Sequence, residues 1–109
     1  MIIRVVKMEF RKEAVEAFRQ LFDQRKEQIR GFKGCLHLEL LQDSKQKNII
    51  WTYSHWQSES ALERYRHSDL FRDTWTRTKS LFSQKAQAWS LERIDILAGI
   101  PDLGRSQDS

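Results

Sequence analysis

The feature that most constrains this chain is the order in which its hydrophobic period changes. Residues 2 to 10, IIRVVKMEF, are rich in β-branched types and read as a strand. From Arg11 to Arg30 the period turns helical, with Ala14, Phe18, Leu21, Phe22, Arg25 and Ile29 on one stripe. Gly31 is the expected stop, in the left-handed conformation that glycine adopts without a Cβ penalty. Cys35–Gln42 then alternates Leu36, Leu38 and Leu40 with His37 and Glu39, and Asn48–Trp56 is the next strand. The polar link between them is short, so the pair is antiparallel. Ser58 is a plausible N-cap for a helix to about Arg66, with Glu59 favourable at its positive end. Ser68 caps a second helical segment that puts Phe71, Trp75, Thr78 and Phe82 on one face. Gln87–Ile96, with Trp89, Leu91, Ile94 and Ile96, reads as the last strand. The order predicts an α+β fold: a ferredoxin-like split βαβ, with a four-stranded antiparallel sheet and helices on one face.

Such a sheet has a second face that must meet water or another subunit. Pairing Gln42 with Asn48 sets His37 opposite Tyr53, Glu39 opposite Trp51, and Cys35 opposite His55. Leu36, Leu38, Leu40, Ile50 and Trp56 then share the face that receives the helices. The other face carries Trp51, Tyr53, Leu41 and Ile49, too apolar to stay bare. A homodimer that closes two sheets into an α+β barrel would cover it. A slip of one residue would exchange the faces.

A chain of 109 residues fits one domain, expected over residues 1–97 with a tail at 98–109 that is mobile beyond Leu103. A core of this size is modestly stabilising, and a partner would help it. No run approaches the roughly 18 apolar residues of a membrane span, and the amino terminus lacks the pattern of a signal peptide. Cys35, the single cysteine, excludes an internal disulfide and fits a reducing compartment, so the cytoplasm is expected. The net charge is +4, but basic residues alternate with acidic ones, as in Arg25-Lys26-Glu27. That is the pattern of a solvated surface, whereas a nucleic-acid patch gathers its basic residues on one face. An RNA-recognition domain shares the strand order, yet NIIWTYSHW lacks its Lys/Arg-Gly-Phe-type run. No nucleic-acid or membrane partner is expected.

Two further stretches are distinctive. Gly31-Phe32-Lys33-Gly34-Cys35-Leu36 follows the long helix; Trp56-Gln57-Ser58-Glu59-Ser60-Ala61-Leu62-Glu63-Arg64-Tyr65 precedes Ser68-Asp69-Leu70-Phe71. In this order they resemble the antibiotic biosynthesis monooxygenase family, over roughly residues 2 to 95. The resemblance implies a dimeric α+β barrel with a pocket between sheet and helices in each subunit. It also implies either cofactor-free oxygenation of aromatic molecules or, in another branch, haem degradation. For haem the departures matter. The position of the ligating histidine, four residues after Phe71, holds Trp75, and the helix tryptophan and first-strand asparagine correspond to Tyr65 and about Arg4.

Cofactor-free oxygenation needs an apolar pocket, a proton acceptor and a donor to the developing anion. Trp56, Tyr65, Phe71 and Trp75 are candidates to line the pocket, and Arg4 to fix a phenolate. Arg4 has apolar strand neighbours and must find a partner; a salt bridge to Glu39 or Glu92 is the structural alternative. The catalytic candidates are His37, His55 and Tyr53. Phe71, Trp75 and Phe82 at helical spacing equally fit plain core. No metal site is expected, because His37, His55 and Cys35 would have to converge within about 2.0–2.3 Å of one ion. Cys35 has no helix amino terminus behind it to activate the thiol. No cofactor is expected. Two functions remain open: a small cofactor-independent monooxygenase for an aromatic or quinone-like molecule, and a non-catalytic homodimer that binds a small molecule or serves a structural role.

Overall fold

In the computed structural model, which describes residues 1–97, four antiparallel strands carry three helices on one face. Strand β1 is Ile2–Phe10; a 3-10 turn at Lys12–Ala14 leads into α1, Val15–Arg30. The hairpin of β2, Cys35–Gln42, and β3, Ile49–Trp56, is followed by α2, Glu59–Arg66, α3, Asp69–Lys79, and β4, Phe82–Glu92. The sheet order is β2-β3-β1-β4, so β1 and β3 are central. This is the ferredoxin-like arrangement expected from the sequence. The tail at 98–109 lies outside the described residues.

Local chemistry explains the helix starts. Ser58 Oγ accepts from Ala61 N (3.1 Å) and Ser68 Oγ from Phe71 N (3.1 Å), each satisfying an amide that the helix leaves free. Helix α1 buries Phe18 and Ile29, with Phe18 stacked on Phe10 of β1 at 4.4 Å between centroids. Arg25, in the middle of its stripe, reaches α3: Nη2 pairs with Asp73 (2.7 Å) and Nη1 donates to Thr74 Oγ1 (3.0 Å).

Four expectations need correction. Gly31 ends α1 with a right-handed φ of −84°; the left-handed glycine is Gly34, at φ +94°. A Cβ on Gly34 would lie 2.5 Å from Ala61 Cβ, so the β2 start can approach α2 only without a side chain there. The hairpin register is two residues away from the expected one: His37 faces His55, and Glu39 faces Tyr53. Asn48 is not free to pair with Gln42, because its backbone O and side-chain Nδ2 both bond Phe10 of β1. An irregularity between Cys35 and His37 puts Cys35 opposite Trp56 in the core and leaves Leu36 exposed. Finally, β4 runs over Phe82–Glu92, not Gln87–Ile96. Phe82 leaves the helix to pair with Phe10, while Ile94 is 98% exposed.

The two faces are otherwise divided as expected. Leu38, Leu40, Ile50 and Trp56 face the helices. The outer face holds Trp51, Tyr53 and His55 of β3, His37 and Leu41 of β2, and Trp89 and Leu91 of β4. Leu41, Trp89 and Leu91 are 46%, 42% and 50% exposed in the single chain. Trp51 stacks on Trp89 at 6.1 Å, with Lys7 Nζ over its ring. Ile49, expected on this face, is already buried within the chain.

Candidate functional site

A cavity of about 390 Å³ lies between the inner face of the sheet and the helices. Its floor is the inward-facing set of the strands: Arg4, Val6 and Met8 from β1, and Thr52, Ser54 and Trp56 from β3. Ala86 and Ala88 of β4 contribute only methyl groups there, which leaves space that larger side chains would fill. Phe18 and Phe22 of α1 close one side. Leu62, Tyr65 and Arg66 come from α2, and Phe71, Thr74, Trp75 and Thr78 from α3. Its volume and largely apolar, aromatic lining are those of a small-molecule site.

All five residues expected to contact a ligand, Arg4, Trp56, Tyr65, Phe71 and Trp75, line this one cavity. The aromatic members are linked ring to ring. Trp56 stacks on Tyr65 (4.8 Å), Tyr65 meets Phe71 edge-on (5.2 Å), and Phe71 stacks on Trp75 (5.8 Å). Trp75 ends the series edge-on to Phe82 (5.6 Å), so it is both cavity wall and core support. Trp56 is 1% exposed and donates Nε1–H to Ser54 Oγ (3.0 Å); it acts mainly as the packed base of the wall.

Arg4 is the polar exception on an apolar strand face. The structural alternative, a salt bridge to Glu39 or Glu92, does not form; Nη1 donates instead to Ser90 Oγ across the β1–β4 ladder (2.9 Å). Glu39 lies on the other face of the sheet, with its carboxylate on His37. Burial, the neighbouring Arg66 and then an opposing pull from Glu63 leave the Arg4 guanidinium below its ordinary range. Tyr65 is pushed far above the ordinary phenol range, first by burial and then by Cys35. It is a neutral hydroxyl throughout the physiological range, able to donate but not to act as a phenolate.

The three catalytic candidates stand elsewhere. His37, His55 and Tyr53 cluster on the outer face, with His37–His55 centroids at 5.0 Å and Tyr53–His55 at 4.9 Å. The pleat that points Leu38, Thr52, Ser54 and Trp56 into the cavity points these three away. They therefore cannot exchange protons with a molecule in the cavity of their own chain. Burial, then the neighbouring His37 and Arg93, lower His55, whose Nε2 is buried without a partner among the described residues. Cys35 is separated from both histidines by the sheet itself, and burial raises its thiol. Among the described residues no three His, Cys, Asp or Glu side chains are grouped to hold a metal.

Arg66, Thr52, Ser54, Thr74 and Thr78 also line the cavity and were not expected there. Three of them had a signal in the sequence. Arg66 follows the inward-facing Leu62 by one helical turn, and Thr74 and Thr78 share the face of Phe71 and Trp75.

Haem does not fit this wall. Trp75 has no lone pair for iron, Tyr65 is held protonated, and among the described residues no histidine lines the cavity. Among the described residues, no helix is long and apolar enough to cross a membrane.

Residues 1–77 match the family model described as antibiotic biosynthesis monooxygenase. Among solved structures, a crystal structure of an antibiotic biosynthesis monooxygenase superposes with a TM-score of 0.82 at 17% identity, covering 87% of this chain and 100% of that one. A conserved protein from Methanosarcina mazei Go1 gives 0.80 at 21%, covering 85% and 93%. A mutant of SnoaB, a cofactor-independent oxygenase from Streptomyces nogalater, gives 0.79 at 15%, covering 90% and 97%. No curated protein matches the chain. At these identities the structural likeness speaks for the fold, and the family match covers most of the chain: it belongs to the antibiotic biosynthesis monooxygenase family.

Proposed function

We propose that the cavity binds a flat phenolic molecule that carries a hydrogen para to its phenolic oxygen and promotes its oxygenation by dioxygen without a bound cofactor. The observation that carries this reading is Arg4. It presents a cation beside a wall of aromatic rings while its one side-chain bond among the described residues is to a neutral hydroxyl. A phenol placed with its oxygen on Arg4 would ionise more readily. Opposite charges about 4 Å apart attract by on the order of 4 kcal/mol at an effective dielectric near 20. That corresponds to a phenol acidity shift of up to about 3 units. The anion is the electron-rich form that reacts with dioxygen. A C–O bond forms at the ring carbon para to the phenolic oxygen, and the O–O bond of the resulting peroxide then breaks. One oxygen atom stays as the new quinone carbonyl. The other leaves as water, taking the phenolic proton and the displaced ring hydrogen. The substrate is oxidised, dioxygen is reduced, and no other reductant is consumed. Aromatic wall residues keep the ring flat and water sparse. The resemblance to a cofactor-independent oxygenase in fold supports the reading.

A second reading has its own observation: among the described residues, no carboxylate or histidine lines the cavity to accept the proton. A protein with this wall would bind the same flat anion without turning it over. Oxygen uptake with a panel of phenols that carry a para hydrogen separates the two. Uptake matched by quinone formation supports catalysis; a melting shift without uptake supports binding alone.

We also propose that the protein works as a homodimer through the outer sheet face. Leu41, Trp89, Leu91 and the Trp51–Trp89 stack form an apolar surface around the His37–Tyr53–His55 cluster. Burying it at about 25 cal/mol per Å² on both partners gives a large gross gain, before association costs. A buried, unpaired Cys35 is compatible with the reducing cytoplasm that this reading assigns.

A further inference from the structure

Arg4 shares the cavity with a second cation. Arg66, in the last turn of α2, lines the same space. After burial, its charge is the strongest influence that lowers the Arg4 guanidinium. Arg66 Nη1 donates to Glu63 Oε2 (3.0 Å), and Glu63 is not on the cavity wall. Arg4 spends one N–H on Ser90. Among the described residues these are the only side-chain hydrogen bonds of either guanidinium, so most of their fork-like donors remain unused. Glu63 offsets part of the Arg66 charge from outside the cavity, and among the described residues no carboxylate lines the cavity itself. Two cations facing one apolar space repel each other, and an anion between them would offset that cost.

The shape of the site says where the rest of the ligand goes. Arg4 and Met8 lie on the same face of one strand, about 13 Å apart at ~3.3 Å per residue. Arg66 of α2 is near enough to act on Arg4, and Tyr65 packs on Trp56 in the cluster that includes Ile2, whereas Phe71 and Trp75 continue the wall along α3. A planar acid joined to fused rings would place its charge at one end and its rings along the wall. Arginine is the side chain whose planar fork matches a carboxylate.

We infer that the ligand is a flat aromatic acid whose carboxylate bridges Arg66 and Arg4, next to the phenolic oxygen that Arg4 holds. The inference rests on the cavity being the ligand site, as proposed above, but it does not depend on oxygen chemistry. Arg66 is the specificity residue: it selects acids over neutral phenols of the same size.

The test is calorimetric titration of the wild-type protein with 3-hydroxy-2-naphthoate and with its neutral amide. The acid binds about tenfold or more tighter than the amide, as a charge-assisted pair requires. Arg66→Gln removes about tenfold from the acid and leaves the amide unchanged, while Arg66→Lys keeps part of the preference. The Arg66 side chain is 43% exposed on α2, and an unchanged melting temperature confirms that Arg66→Gln is folded. Equal affinities for acid and amide would overturn the inference, as would an Arg66→Gln protein that keeps the preference, or no binding of either compound. Oxygen uptake with a neutral phenol that carries a para hydrogen is measured in parallel. Uptake without acid selectivity leaves the oxygenase reading standing and removes this one; selectivity without uptake does the reverse.

Discussion

Arg4 and Ser90 face each other across the β1–β4 ladder, and the 2.9 Å bond from Arg4 Nη1 to Ser90 Oγ is what aims the guanidinium. A neutral partner fixes direction without neutralising charge. Had the partner been a carboxylate, the cavity would have lost its one anion-seeking group on the sheet.

Arg4→Gln should therefore lower kcat/KM for phenol oxidation by about 10²-fold, in the range seen when a donor to a developing anion is removed. Ser90→Ala should cost less, about severalfold, because the charge remains and only its aim is lost. Steady-state oxygen uptake of both variants checks the order. Equal losses would mean that charge and aim are not separable here.

Of this pair, Arg4 was legible in the sequence and Ser90 was not. A charge among β-branched residues demands a partner, and that demand is local. Its partner depends on how β4 registers against β1, which no periodicity along the chain encodes. The hairpin shows the same limit. The expected register was displaced by two residues, yet because side chains alternate with period two, Trp51, Tyr53, His37 and His55 kept their face. Leu36 and Cys35 did not, since a bulge breaks that parity. The histidines were picked out for their chemistry, and only the pleat shows that it is turned away from the cavity.

Gly34→Ala should destabilise the fold by about 1–3 kcal/mol, the cost of a left-handed non-glycine residue, with the contact on Ala61 Cβ adding to it. Gly31→Ala, at a right-handed φ, should cost much less. Denaturant titration of both variants compares them. A larger loss at Gly31 would contradict the assignment of the strained turn.

Trp75 stands between packing and binding. Trp75→Phe should alter ligand affinity with little change in melting temperature, because the ring against Phe82 and Phe71 is retained. Trp75→Ala should cost about 3 kcal/mol through the cavity it leaves. Melting curves with and without a bound naphthol separate the effects; a Phe variant that melts like the Ala variant would assign Trp75 to the core alone.

Tyr53→Glu should weaken the dimer by placing a charge in a dry seam. Sedimentation of the wild type as a monomer at micromolar concentration would refute the dimer itself. The same face supplies a pH dependence. His55 is held below its ordinary range, so the unfolded chain binds its proton more readily than the folded one. The stability this gives is present above the unfolded value near 6.5 and is lost as pH falls through the lower, folded one. Melting temperature should drop on acidification from about pH 7 to 5, and His55→Gln should flatten that drop. Carboxylates such as Asp73, lowered mainly by Arg25, act in a more acidic window.

The most direct test of the central claim follows chelator-treated wild-type protein with an anthrone-type phenol under ¹⁸O₂. The account predicts that one labelled oxygen enters the quinone for each dioxygen consumed, and that Arg4→Gln suppresses the reaction while remaining folded. Wild-type protein that binds the phenol in this cavity but consumes no oxygen, or an Arg4→Gln protein that turns over at the wild-type rate, would contradict it.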